Sequence, residues 1–127
     1  MSTEHWLWPD STVTRVIDGD SIVAQLTKDI GFHGSTTFRQ KLRIARINAL
    51  PKSSTSGRSA TAFLIELVTN VSVFIETTGP YKYRDEWMAE ITLPDGRNVA
   101  DALVEAKLAV YWDGTGPRPD TPILKPL

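Results

Sequence analysis

The chain has 127 residues and no cysteine, which excludes disulfide bonds and metal sites built on thiolates. Its 14 Lys and Arg against 15 Asp and Glu give a formal net charge of -1, so no overall field draws it to nucleic acid or to an anionic membrane. Any contact with phosphate must come from a local group of cations. No stretch is long and apolar enough to span a bilayer, and the first residues lack the features of a signal peptide.

The first part of the chain is predicted to form a hairpin. Residues 12–16 and 22–26 have strand character and flank the Asp-Gly-Asp segment at 18–20, which is typical of a tight turn. Residues 27–37 contain Gly and small polar residues and predict a loop or a wide hairpin.

Residues 38–48 are predicted to form a long third strand with two different faces. Side chains alternate along a strand, so the cations fall on one face and the apolar residues can enter a core. The cations are Arg39, Lys41 and Arg43, and the apolar residues are Phe38, Leu42 and Ile44.

The second half of the chain predicts two helices and two or three strands. A helix follows the polar loop 52–56, with Ala60, Phe63, Leu64, Leu67 and Val68 at core-facing helical spacing. Strands are predicted at 71–77 and 87–93, a second helix starts at the N-cap Asn98, and 109–112 can add a short strand.

Five short strands and two helices predict an α+β, mainly β fold: a five-stranded barrel of the oligonucleotide-binding (OB) type with two packed helices. We expect an N-terminal arm at 1–11, the barrel domain at 12–112, and an extended Pro-rich tail at 113–127.

Five segments, in their order and spacing, match the motifs of one known family. They are 16–21, 42–49, 57–64, Lys82-Tyr83 with 87–91, and 98–104. Over roughly residues 12–112 the chain resembles the staphylococcal nuclease (thermonuclease) family. The resemblance implies a nuclease that cleaves DNA or RNA with calcium. In that family two aspartates and a backbone carbonyl hold the calcium, a glutamate lies near the attacking water, and two arginines bind the phosphate.

The resemblance assigns the metal ligands to three positions. Asp20 matches the first aspartate, Asn48 stands where the second is expected, and Ala49 can offer its carbonyl. An amide ligand contributes no charge, so calcium binding should be weakened or lost. The alternative is that the segment at 18–20 is only a well-formed turn.

The catalytic positions are incomplete. Arg43 matches the first phosphate arginine, but Pro51 or Lys52 stands where the glutamate is expected. Asp85 or Glu86 stands in place of the second arginine, for which only Arg84 is close enough to substitute. A general base contributes about 10²- to 10⁴-fold to a rate, and an arginine on a transferring phosphoryl group about 10³- to 10⁵-fold.

The sequence therefore favours a nuclease-like domain that has lost its activity and serves as a structural, assembly or nucleic-acid-binding module. Nucleic-acid binding would use Arg39, Lys41, Arg43, Arg46 and the stacking aromatic Tyr83. The alternative is a calcium-dependent endonuclease with relocated groups, using Arg84 and a carboxylate such as Glu86 or Glu90.

Two terminal segments are candidate protein contacts. Trp6 and Trp8 flank Leu7 and are predicted to close the barrel end or to anchor a neighbouring chain, and the tail 113–127 is predicted to dock on a partner. Stand-alone copies of the family occur in bacteria and their phages, which implies a cytoplasmic or virion-associated location. His5 and His33 are isolated, and a solvated surface role is expected for both.

Overall fold

The computed structural model describes residues 5–49, 54–78 and 86–112, and these ranges form a five-stranded barrel with two helices against it. The two helices contact the first and sixth strands respectively. In chain order the elements are β1 (His5–Asp18), β2 (Ser21–Gly31), β3 (Gly34–Ile44), β4 (Ile47–Asn48), α1 (Thr55–Val68), β5 (Ser72–Thr78), β6 (Trp87–Thr92), α2 (Val99–Glu105) and β7 (Val110–Tyr111).

The barrel closes in the order β1-β2-β3-β6-β5, with β5 returning to β1. Only β3 and β6 pair in parallel within the barrel; its other pairs are antiparallel. The short strands β4 and β7 form a separate two-stranded sheet. This arrangement confirms the predicted mainly β, OB-fold-like architecture with two helices.

The long strand β1 closes the barrel because it bends. Its first half pairs with β5 and its second half with β2, and the pairing register shifts between Trp8 and Ser11, between Val13 and Arg15, and again before Asp18. A bulge inserts an extra residue and sharpens the bend, so one strand can serve two neighbours.

The first strand begins at His5, seven positions before the predicted start at Thr12. The segment predicted as an arm is therefore part of the barrel wall over its described residues. Trp8 is 5% exposed, and its Nε1 donates a hydrogen bond to Thr77 Oγ1 at 2.9 Å. Pro9 argues against a strand in the sequence, because proline is compatible with a strand only at edges and bulges. Here it lies at the bulge between Trp8 and Ser11.

Strands also run through most of the segment 27–37, which was predicted as a loop or wide hairpin. The β2–β3 ladder continues to the pair Asp29 and Ser35 and ends at Gly31 and Gly34. Only Phe32 and His33 lie between the two strands, so the wide loop is replaced by a tight turn. The predicted strand 38–48 is correspondingly divided by a turn at 45–46.

The two predicted helices are confirmed, and each begins at a side-chain cap. Ser54 accepts a hydrogen bond from Gly57 N at 3.0 Å, and Asn98 accepts one from Asp101 N at 3.2 Å. Capping satisfies backbone donors that have no partner within the helix. The buried side chains of the barrel and helices form one core, whose fully enclosed members include Ile22, Leu26, Leu42, Ile44, Leu64, Ile75, Ile91 and Leu103.

The turn between β1 and β2 lies directly under α1, and a glycine makes this approach possible. A Cβ on Gly19 would lie 2.6 Å from Ala60 Cβ and 2.9 Å from Ala49 Cβ. Both distances are too short for carbon atoms in contact, so any side chain at this position pushes the turn away from the helix.

We therefore expect Gly19→Ala to lower the free energy of unfolding by about 1–3 kcal/mol through overpacking, as measured by urea denaturation. Adding Ala60→Gly removes the nearer carbon, so the double variant should lose less than the sum of the two single losses. Strictly additive losses would show that crowding at Ala60 is not the cause.

Candidate functional site

A buried ion pair joins the first turn of the barrel to β3. Arg43 Nη1 lies 2.7 Å from Asp20 Oδ2, and the two side chains are only 7% and 8% exposed. The register that pairs Ser21 with Arg43 brings the two groups together. A backbone hydrogen bond also joins the two segments, since Ile44 N donates to Asp20 O at 2.8 Å.

The same two side chains also hold the segment after β3. Asp20 Oδ2 accepts a second hydrogen bond from Ala49 N at 2.9 Å, and Arg43 Nη2 donates to Ile47 O at 3.0 Å. The Arg43 guanidinium also lies 5.9 Å from the ring centre of Trp112, within cation–π range. The ion pair thus links the hairpin turn, β3 and the β4 segment.

The structure brings together the three residues predicted as calcium ligands. Ala49 faces Asp20 with its N–H, whereas the prediction assigned its carbonyl to the metal. Asn48 is 4% exposed; its Oδ1 has no hydrogen bond among the described residues, although other atoms of Asn48 make contacts.

These residues fit a calcium ion poorly. Asp20 is the one carboxylate of the predicted ligand set, and Arg43 already neutralises its charge. Calcium affinity depends on the number of charged oxygen ligands. Within the described ranges no cluster of three or more His, Asp or Glu side chains is arranged to hold a metal.

Asp18 is a member of this site that the sequence reading treated only as a turn residue. Its Oδ1 accepts a hydrogen bond from Asp20 N at 3.3 Å. Burial raises the pKa of Asp18 from 3.8 to about 6, helped by the neighbouring Asp20 carboxylate and opposed by Arg43. The single positive charge of Arg43 is shared by two carboxylates, so it only partly offsets the rise in the pKa of Asp18.

A second buried carboxylate lies one strand away. Glu86 immediately precedes β6 and is 2% exposed, and Lys41 Nζ lies 3.7 Å from its Oε2. The parallel register of β3 and β6, which pairs Leu42 with Trp87, explains this proximity. Glu86 is one of the two residues, with Asp85, that the resemblance predicts in place of the second phosphate-binding arginine.

Several predicted site residues cannot be placed, because they lie outside the described residues. They are Pro51, Lys52, Tyr83, Arg84 and Asp85.

Arg46, predicted to contact nucleic acid, makes several contacts within the protein. It makes two hydrogen bonds to the Glu90 carboxylate, at 2.6 and 3.1 Å, and its other donors reach Asp101 and Asn98. Tyr111 contributes its ring at 5.9 Å and a hydroxyl hydrogen bond to Asp101. The same contacts hold Glu90, which was a candidate carboxylate for a relocated active site.

The remaining cations of β3 face outward. A cation on β1, which the sequence analysis did not single out, faces outward beside them. Arg39 is exposed and pairs with Gln25; Lys41 is 42% exposed and pairs with Val23. Arg15 on β1 is also exposed and pairs with the other edge of Val23. Directly opposite residues point to the same face of a sheet. We call Arg15, Arg39 and Lys41 the basic face.

Strand spacing places these three cations close together. Neighbouring strands lie about 4.8 Å apart, so the α-carbons of Arg15 and Lys41 are separated by roughly 10 Å. Arg39 and Lys41 are two residues apart on one strand, which is roughly 7 Å. The contribution of Arg15 depends on the bulged register of β1, which no local sequence pattern predicts.

The two tryptophans predicted to close the barrel end or contact a neighbour have different environments. Trp8 is buried in the barrel, whereas Trp6 is 44% exposed and Leu7 is 50% exposed. His33 is exposed, as expected for a solvated surface histidine.

No protein-family model and no curated protein matches this sequence. The resemblance to the staphylococcal nuclease family therefore stays a prediction. Neither helix in the described ranges has the length and apolar character needed to cross a membrane.

The raised pKa of Asp18 predicts a pH-dependent effect of Asp18→Asn. The folded protein binds the proton of the Asp18 carboxyl more tightly than the unfolded chain does. The contribution of Asp18 to stability is therefore complete below about pH 3.8 and is lost as the pH rises through about 6. The variant should raise the Tm at pH 7.5 more than at pH 4.5, as measured by thermal unfolding. An equal effect at both pH values would contradict the assignment.

Asp20→Asn, one residue beyond Gly19, should have the opposite effect. The amide can still accept from Ala49 N, but Arg43 loses its buried counter-charge, which costs about 3–5 kcal/mol of unfolding free energy. Urea denaturation at pH 7.5 measures this loss, with Asp18→Asn as the matched control. Unchanged stability of the variant would contradict the structural role of the pair, and a rise in Tm with millimolar calcium for the original protein alone would show that Asp20 binds the metal.

Proposed function

We propose that this protein is a non-cleaving module that binds single-stranded nucleic acid, built on a degenerate staphylococcal nuclease-like barrel. The observation that carries the proposal is the buried contact between Asp20 and Arg43. In this contact the carboxylate that would hold a metal is paired with the arginine that would hold a phosphate.

Phosphodiester cleavage needs charge stabilisation that this arrangement does not offer. A cation bridging the phosphate oxygens and donors aimed at the developing charge supply most of the rate. Freeing Arg43 for a phosphate would leave Asp20 buried without its partner, and breaking a buried ion pair costs several kcal/mol. The buried Glu86 adds a negative charge where the family pattern requires a positive one.

The basic face supports binding without cleavage. It lies on the outer surface of β1, β2 and β3, and OB barrels use the surface of their second and third strands for oligonucleotides. Gln25 lies opposite Arg39, and the paired Thr27 and Thr37 continue the polar surface toward the hairpin tip. Glu86 offsets part of the Lys41 charge, so Arg39 and Arg15 are the stronger phosphate donors.

A contact with another protein chain is a second role for the same module. The exposed Trp6 and Leu7 favour it, because large apolar side chains at the surface are common in interfaces. We propose that such a contact, together with the tail 113–127, would attach the module to a larger assembly such as a phage particle.

The binding proposal predicts salt-sensitive affinity for single-stranded DNA or RNA. Fluorescence anisotropy with a labelled oligonucleotide should show weaker binding for Arg39→Ala and Arg15→Ala. Each loss of one phosphate contact should reduce the slope of log affinity against log salt by about 0.7. Arg97→Ala removes the same charge from the turn before α2 and should bind like the original protein.

A cleavage assay separates the proposal from the endonuclease alternative. Single-stranded DNA and RNA should remain intact with millimolar calcium at high protein concentration. Cleavage that a chelator and Arg43→Ala both abolish would overturn the non-cleaving proposal. Absence of salt-sensitive binding would leave the protein-contact role as the better account.

A further inference from the structure

The β2–β3 hairpin ends in an exposed aromatic residue. Gly31 and Gly34 pair across the hairpin, and Phe32 and His33 form the two-residue turn between them. Phe32 is fully exposed, with a relative accessibility of 103%. It contributes nothing to the core of the described residues.

The turn is also strained. Phe32 and His33 have φ values of +54° and +62°, as a two-residue turn of type I′ requires. Asn and Gly are preferred there, and a bulky residue in the left-handed region costs about 1–3 kcal/mol. The sequence thus accepts a cost in stability to present an aromatic ring at the tip, and that combination is typical of a recognition residue.

The position of the ring relative to the basic face fits a single strand of nucleic acid. Arg39 and Lys41 lie five and seven residues beyond Gly34 on the same strand, which corresponds to roughly 16 and 23 Å. A single strand lying along the hairpin would contact the cations with its phosphates and the ring with a base. Cationic tracks combined with aromatic stacking are the usual means of binding single strands, over about 4–16 nucleotides per OB fold.

A membrane surface fits this geometry less well. If Phe32 entered a bilayer interface with the hairpin upright, the cations would stand more than a Debye length, about 8 Å, from the lipid charges. The ring and the cations would then not act together.

We infer that Phe32 stacks on an unpaired base of the single strand that the basic face holds by its phosphates. This inference rests on the proposed function, because it needs the strand to be bound. It gives the module a preference for unpaired bases over duplex, whose bases are already stacked on one another.

Fluorescence anisotropy with two labelled probes tests the inference: a single-stranded DNA and a deoxyribose-phosphate chain of equal length without bases. Phe32→Ala should bind the DNA about 5- to 100-fold more weakly, with an unchanged salt slope, because no phosphate contact is lost. The affinity ratio between the two probes should fall in this variant, whereas Arg39→Ala should weaken both probes alike.

Two further variants separate stacking from folding. Phe32→Trp keeps the stacking surface and should retain the affinity. Phe32→Asn suits the left-handed turn and should raise the Tm while weakening DNA binding to the level of Phe32→Ala.

The results distinguish the two proposals. If the original protein binds neither probe, the proposed function fails. If it binds the DNA in a salt-dependent manner but Phe32→Ala binds equally well, only the stacking inference fails. Binding to vesicles of anionic lipid that Phe32→Ala abolishes, with DNA binding unaffected, would assign the ring to a membrane instead.

Discussion

The buried ion pair between Asp20 and Arg43 is the contact on which the end of the barrel at the β1–β2 turn depends. It fixes the β1–β2 turn against β3, and the N–H of Ala49 joins it from the segment after β4. Burial of this turn, together with the neighbouring Asp20 carboxylate, raises the pKa of Asp18. Because the turn is held this close to α1, position 19 must be glycine. One interaction therefore sets both the chemistry and the packing of the site.

The cations of β3 and the following turn divide into two groups with different roles. Arg43 and Arg46 are engaged within the protein, one in the buried pair and the other at the junction of β6, α2 and β7. Arg39 and Lys41 face outward, where Arg15 joins them from β1. Of the cations in this part of the sequence, only some therefore contribute to the basic face.

Arg46 and Phe32, two of the non-glycine residues with positive φ in the described ranges, differ in how that conformation is compensated. Arg46 has a φ of +73°, and its hydrogen bonds to Glu90, Asp101 and Asn98 offset the cost of that conformation. Phe32 has a similar φ but is fully exposed, so burial does not offset its cost. The conformation of Arg46 is thus compensated by contacts within the protein. At Phe32 the same conformation accompanies a fully exposed ring, which is the observation behind the stacking inference.

The sequence by itself determined the mainly β barrel class, both helices and the alternation that buries Leu42 and Ile44, because helix caps and strand periodicity are local properties of neighbouring residues. Only the tertiary structure decided that β1 begins at His5, that Arg43 pairs with Asp20, and that Arg15 joins the outward cations. Those outcomes depend on strand register and on bulges at barrel closure. Register is set by contacts between residues far apart in the chain, so a local pattern cannot specify which charges meet inside the barrel and which remain on its surface.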